Sequence, residues 1–313
     1  MTGAAWERLG LVFKADGQRP WMQSHAQMPH AELIEGSVFR IYFTCRDGQN
    51  RSHIGWLAAD LERPSEVLEL ASEPLMAPGP AGRFDDVGVM SSCLLTAGGE
   101  RRFYVIGWNV RTTVPMHLSI GLAAGPADGP PTIERRLPGP VLERSPANPF
   151  YVTCPWVMAD GAGWRMWFTS GLDWAEGSSG KPASRYNIWH ARSPDGVTWT
   201  PDPSATLDLA HPRELAIARP QVIKDPDLWR MWHCWRGEDF DYRIGYAESE
   251  DGDAWTRRDD HPLALLASGS GFDSAAACYP HVFDHGGERW MLYCGDGYGQ
   301  AGIGLARLRT SHG

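Results

Sequence analysis

No stretch of the 313-residue chain sustains apolar residues at the i, i+3, i+4, i+7 spacing of an amphipathic helix, and 24 prolines and 35 glycines punctuate it throughout. That excludes a helical fold. A basic stripe is also missing. The net charge is −9 and the pI is near 5.6, which excludes nucleic acid as the expected partner. None of the six cysteines (Cys45, Cys93, Cys154, Cys234, Cys278, Cys294) belongs to a C-x-x-C pair. They are expected to be buried free thiols in a reducing compartment. No apolar run is long enough to span a bilayer, and Met1-Thr-Gly-Ala-Ala-Trp-Glu has no basic segment followed by an apolar one. A cytoplasmic protein without a membrane partner is predicted. No spacing of ligands predicts a metal or cofactor, and no motif indicates a cation on an axis. The oligomeric state is left open.

What is present is a repeat rich in tryptophan, of which the chain has 15. The clearest copy runs from Arg219 to Thr256. Gln221–Lys224, Trp229–Cys234 and Tyr242–Glu248 have strand composition, and turn residues separate them. Ser249-Glu-Asp-Gly makes a tight turn, and Trp255 opens a fourth strand. Further copies start at Met28-Pro-His, Ser91-Ser-Cys, Cys154-Pro-Trp and Tyr279-Pro-His. The marker positions Pro29, Ser92, Pro155, Pro220 and Pro280 are spaced by 63, 63, 65 and 60 residues. This period predicts an all-β fold: one five-bladed β-propeller of four-stranded antiparallel blades spanning 1–313. The blades fall near 26–72, 73–142, 143–208, 209–266 and 267–313. Trp6 lies 23 residues before Pro29, much as Trp199 and Trp255 precede Pro220 and Pro280. Residues 6–13 are therefore expected to supply the last blade's fourth strand and close the ring.

In such a ring the first strand of each blade lines the axis, so residues at its start and at the end of the second strand face a shared funnel. Asp85 and Asp273 lie seven residues before their markers, and Asp86 and Glu214 lie six before. Converging carboxylates suit glycosyl transfer, which needs an acid and a base or nucleophile. Asp86, Glu214 and Asp273 are the candidate catalytic residues. His30 and His281 occupy one repeat position and are expected to face each other at the axis. Arg46 and Arg236 match at the ends of second strands, and Arg219 and Tyr279 precede their prolines. Asp85, Trp108 and Asp296 complete the expected substrate-binding set. The arginines suit an anionic ligand, or else they neutralise the acids. Trp174 and Trp235 also lie at or just beyond second-strand ends. Segments 112–140 and 173–184 are expected to form rims or lids. Asp195 and Asp251, in two S-x-D-G-x-x-W turns, read as structural.

The repeat of an inner strand, an R-x-W strand, I-G-x-A and S-x-D-G-x-x-W resembles the five-bladed propellers of the arabinanase, invertase and levansucrase superfamily, glycoside hydrolase families 43 and 32. The resemblance covers nearly the whole chain. It implies a carbohydrate-active enzyme that cleaves or transfers a glycosyl group on a small sugar, and the arginines would suit an anionic one. Those families carry an Asp on the first blade, an Asp on the second and a Glu acid on the third or a nearby blade. Here the first blade offers His25 and His30 instead, Asp86 or Asp85 matches the second position, and Glu214 stands in for the acid on the fourth. Asp273 has no assured counterpart. Two alternatives stand beside this reading. One is a lyase, cyclase or isomerase in which His30 and His281 move protons. The other is a propeller that only binds a ligand.

Overall fold

The computed structural model describes residues 4–161, 163–176, 180 and 182–310. Strands dominate them. The helical content among the described residues is a 3-10 turn at Gly271–Asp273 and a short turn at Asp296–Gly299. The chain opens with β1 (Ala4–Phe13). A first meander follows: β2 (Ser24–Glu35), β3 (Val38–Arg46), β4 (Ser52–Asp60) and β5 (Arg63–Leu70). The second is β6 (Gly88–Ala97), β7 (Glu100–Val110), β8 (Met116–Pro126) and β9 (Glu134–Arg135). The third is β10 (Val152–Asp160), β11 (Gly163–Glu176), β12 (Pro182–Ser193) and β13 (Thr200–Pro201). The fourth is β14 (Glu214–Lys224), β15 (Trp229–Gly237), β16 (Arg243–Ser249) and β17 (Thr256–Arg257). The last is β18 (Cys278–His285), β19 (Glu288–Cys294) and β20 (Ile303–Thr310), and β1 pairs antiparallel with β20 as its fourth strand.

A parallel bridge, Ser52 to Gly88, joins the first two meanders into one sheet, and Tyr186 to Ala216 joins the third and fourth. The inner strands touch in succession: β2 with β6, β6 with β10, β10 with β14, β14 with β18, and β18 with β2. Two features differ from the sequence expectation. The fourth strands β9, β13 and β17 have two residues each. The inner strand β14 starts at Glu214 rather than Gln221, because Pro220 sits inside the strand at a register shift between Ala218 and Gln221. A bulge leaves one residue unpaired, so a proline without an N–H is accommodated there.

Tryptophans fill the space between sheets. Trp167 and Trp232 are fully buried, and Trp156, Trp199 and Trp229 share the Trp167 cluster. Trp6 from β1 and Trp232 from β15 both donate their indole N–H to the Leu263 carbonyl, at 2.8 and 3.0 Å. The S-x-D-G-x-x-W turns are structural, as their sequence indicates. Asp195 accepts from the Val197 and Thr198 N–H groups, and Asp251 from those of Asp253 and Ala254. These backbone donors hold both carboxyls at about 2. Each turn also ties two meanders together. Tyr104 of β7 donates to the Gly196 carbonyl at 2.7 Å, and Arg165 of β11 donates to that of Asp251 at 3.1 Å. Gly252 suits its turn because its φ of 79 is a backbone conformation that residues with a Cβ rarely adopt. All six cysteines are buried and free, as expected.

Candidate functional site

The repeat marker builds the site. Met28, Cys154, Arg219 and Tyr279 each precede the marker proline and have φ of 53, 49, 54 and 55°. Each lies within a register shift of its inner strand. Left-handed backbone at a non-glycine residue is strained by about 1–3 kcal/mol, and such strain collects at functional positions. The second meander breaks the pattern. Its marker is Ser92, whose hydroxyl donates to the Pro155 carbonyl at 2.8 Å and accepts from Arg219 Nη1 at 3.1 Å.

Three of the four strained residues, Met28, Cys154 and Tyr279, line a cavity of about 380 Å³. It lies where the inner strands begin, the second strands end and the third strands begin. Arg46, Trp108, Trp174 and Arg236 come from second strands, while Ser184 and Tyr186 come from β12. Tyr151, Tyr242 and Tyr298 complete its aromatic wall. Among the described residues lining it there is no Asp, Glu or His.

Tyr186 and Tyr242 touch hydroxyl to hydroxyl. Arg236 lies over both rings, at 5.7 and 5.8 Å from their centroids, and its Nε donates to the Tyr186 hydroxyl at 3.4 Å. Burial pushes the Tyr242 hydroxyl well above its usual value, the neighbouring Tyr186 and Tyr279 push the same way, and Arg236 opposes them. Arg46 bonds Asn50 Oδ1 at 3.0 Å, and burial holds its guanidinium below the usual value. Arg219 is fully buried, its Nε and Nη2 have no partner, and burial lowers it too.

The predicted carboxylates lie elsewhere. Asp86 accepts from the Gly82 N–H and from Asn109 Nδ2, which makes it a turn cap. Asp85 is fully buried against Arg135 at 2.6 Å. Glu214 is held by Arg257 through two bonds of 3.0 and 2.8 Å and by the Ala210 N–H. Asp273 accepts from Arg8, Ser268 and Tyr293. Asp296 accepts from Ser274 and from the N–H groups of Ala275 and Ala276. The physical reason is common to all five. A carboxylate just before or beside a strand is well placed to satisfy turn N–H groups and cross-sheet arginines, and these compete with a ligand.

His30 and His281 do face each other, with ring centroids 4.0 Å apart, and Trp156 lies against both. They are buried outside the cavity lining. Burial holds His30 well below its usual value, helped by His281 and then Arg219, and burial followed by Arg219 holds His281 down at about 3, so the neutral form of each is favoured. Trp235 packs on Phe240 rather than in the cavity.

Arg46, Trp108, Arg236 and Tyr279 are thus brought together, with Arg219 buried beside them. Segment 112–140 contains β8 and β9, and it lends Pro115, Met116 and Leu118 to the lining, so that part of it forms a rim of the cavity. Segment 173–184 extends the β11–β12 hairpin and adds Trp174 and Pro182–Ser184, while residues 177–179 and 181 lie outside the described ones. The sequence reading missed Tyr186, Tyr242 and Tyr298. A signal for them existed, since they recur at intervals of 56 residues, in β12 or shortly before β16 and β20. Among the described residues no group of three or more His, Cys, Asp or Glu is arranged to hold a metal ion. No helix there is long and apolar enough to cross a membrane.

Comparison with known proteins places this geometry. No family model matches the chain. Among solved structures, a glycoside hydrolase superposes with a TM-score of 0.75 at 18% identity, covering 96% of this chain and 90% of its own. A thermostable family-43 glycoside hydrolase does so with a TM-score of 0.64 at 15% identity, over 93% and 90%. These relatives are β-propellers, and at such identities the likeness shows the fold: a β-propeller of the kind found in glycoside hydrolases. In sequence, the uncharacterised proteins Rv1502 and MT1551 of two Mycobacterium tuberculosis strains are each 43% identical over 306 residues, 98% of this chain and all of theirs. The chain therefore belongs to the family of the mycobacterial protein Rv1502.

Proposed function

We propose that the chain is a closed five-bladed propeller and a carbohydrate-active enzyme of glycoside-hydrolase-like type, acting on a small sugar-like ligand in the cavity. The β1–β20 pairing and the unbroken succession of inner-strand contacts support ring closure. One observation carries the functional reading. The cavity has the size of a small-molecule site, and its wall combines Trp108, Trp174 and a cluster of tyrosines with arginines. Aromatic faces suit the C–H faces of sugar rings, and the polar groups fix orientation.

Tyrosine hydroxyls are prominent among the polar groups offered to a ligand there, beside the Cys154 thiol. The Tyr186–Tyr242 pair shares a hydroxyl contact under Arg236, which sets neutral phenol donors against the ligand's oxygens. In this reading Asp86, Glu214 and Asp273 support the scaffold, and the neutral His30–His281 pair supports the axis. The test is turnover of a panel of 4-nitrophenyl glycosides of neutral and acidic sugars. Trp108→Ala and Tyr242→Phe should abolish it, while Asp86→Asn and Glu214→Gln folded at the assay temperature should retain it. Loss with the acid variants and retention with Tyr242→Phe would return catalysis to the carboxylates. Sugar binding without turnover of any glycoside would make the chain a recognition propeller.

A further inference from the structure

The charges around the cavity do not balance. The chain is acidic overall, with 38 Asp and Glu against 29 Lys and Arg. Yet the acids near the inner strands are all engaged away from the site. Asp47, beside Arg46 in sequence, is taken by Arg51 at 2.8 Å and His53 at 3.1 Å. Asp85, Glu214 and Asp273 are held by Arg135, Arg257 and Arg8, and Asp296 by Ser274 and backbone. Asp241, exposed beside Tyr242, accepts the Tyr242 N–H. Arg46, Arg219 and Arg236 are left with no carboxylate within ion-pair distance among the described residues.

These are not loose surface arginines. Arg219 is fully buried with two unpartnered donor nitrogens, and Arg46 has a buried, unpartnered Nε. Arg236 makes only long contacts, 3.4 Å to the Tyr186 hydroxyl and 3.5 Å to the Ser184 carbonyl. Arg46 and Arg236 line the cavity, and Arg219 follows the lining residue Ala218. Burying a guanidinium without a counter-ion costs stability, and such a cost persists where a ligand relieves it. Neutral sugars offer no charge to answer three cations.

Resting on the sugar-like reading of the cavity, we infer that the ligand is an anion. It is a sugar-sized molecule bearing a carboxylate or a phosphate, whose charged group sits on Arg236 and Arg46 with Arg219 supplying a fixed positive field behind them. Guanidinium forks match both groups in geometry, and the lowered dielectric of a partly buried cavity strengthens the pairing. The tyrosine hydroxyls, held neutral by burial at Tyr242 and Tyr279, are left as donors to the remaining oxygens.

Calorimetric titration of the folded chain with D-glucose, D-glucuronate, glucose 6-phosphate and inorganic phosphate tests this. At least one charged sugar should bind ten-fold or more tightly than glucose. Arg46→Gln and Arg236→Gln should each lose about ten-fold of that affinity, and Arg236→Lys should recover part of it. Thermal melts confirm that each variant is folded. Glucuronate against glucose 6-phosphate separates carboxylate from phosphate. Glucose binding as tightly as the charged sugars, with the arginine variants unchanged, overturns the anion and leaves the sugar reading standing. Phosphate binding as tightly as glucose 6-phosphate supports the anion and overturns the sugar. No heat with any probe overturns both.

Discussion

Arg257 grips Glu214 with both ends of its guanidinium, Nη1 to Oε2 at 3.0 Å and Nη2 to Oε1 at 2.8 Å, and also contacts Asp259. The carboxylate is buried and the guanidinium nearly so. Removing Glu214 leaves Arg257 paired with Asp259 alone and the Ala210 N–H without its acceptor, so the cost is that of lost charge-assisted bonds, about 1–3 kcal/mol, rather than of a bare buried charge. Glu214→Ala should therefore lower the unfolding free energy by that order in urea titrations. Affinity for a cavity ligand should stay within two-fold at temperatures where the variant is folded.

Arg8 and Asp273 join the first strand of the chain to the 3-10 turn before β18, with the Tyr293 hydroxyl as a third partner. Asp273→Asn weakens a buried charge-assisted bond, and about 1–3 kcal/mol is expected. Because the loss falls on the β1 attachment, hydrogen exchange should accelerate over Glu7–Phe13 before it does over β7 or β15. Uniform acceleration would place the role of Asp273 elsewhere.

The axial histidines set a pH window. His281 is held at about 3 and His30 well below 6.5, chiefly by burial. Their folded values are depressed, so between those values and the unfolded value of about 6.5 the unfolded chain binds more protons. Their contribution is complete above about pH 6.5 and is lost as pH falls, at about 1.4 kcal/mol per pH unit for each histidine. His25, lowered to about 4 by burial and by Arg46, adds to the same trend. The melting temperature should be flat near pH 7–8 and fall towards pH 4. His281→Asn should make that decline shallower.

Arg219 sits fully buried, and its side chain makes a single hydrogen bond among the described residues, to Ser92. Replacing buried charge with a well-packed apolar side chain is often stabilising by about 1–4 kcal/mol. Arg219→Met should raise the melting temperature in ligand-free buffer and weaken binding of a charged probe. A fall in melting temperature with unchanged binding would assign the guanidinium a structural role.

Much of this was legible in the sequence, for physical reasons. The all-β class, the repeat period, the structural turns at Asp195 and Asp251, and the pairing of residues near 6–13 with the last strand all follow from local patterns that recur. The meeting of His30 and His281 followed from equivalent positions, as did the gathering of Arg46, Arg236 and Tyr279. The carboxylates lie outside the cavity because position in a repeat shows where a backbone goes, not which partner a side chain takes. Asp85, Glu214 and Asp273 are claimed by Arg135, Arg257 and Arg8, which lie 50, 43 and 265 residues away. The bulges at the marker prolines were hidden for a similar reason, since Pro220 reads as a strand start until the ladder on both sides is seen.

The most direct test of the account is a crystallographic screen of neutral, carboxylated and phosphorylated monosaccharides. The account predicts density for a charged sugar inside the cavity, its ring against Trp108, Trp174 or the tyrosines and its anionic group within hydrogen-bond distance of Arg236 or Arg46. A sugar ordered beside Asp86, Glu214 or Asp273, or a cavity that stays empty while sugars bind elsewhere on the propeller, would contradict it.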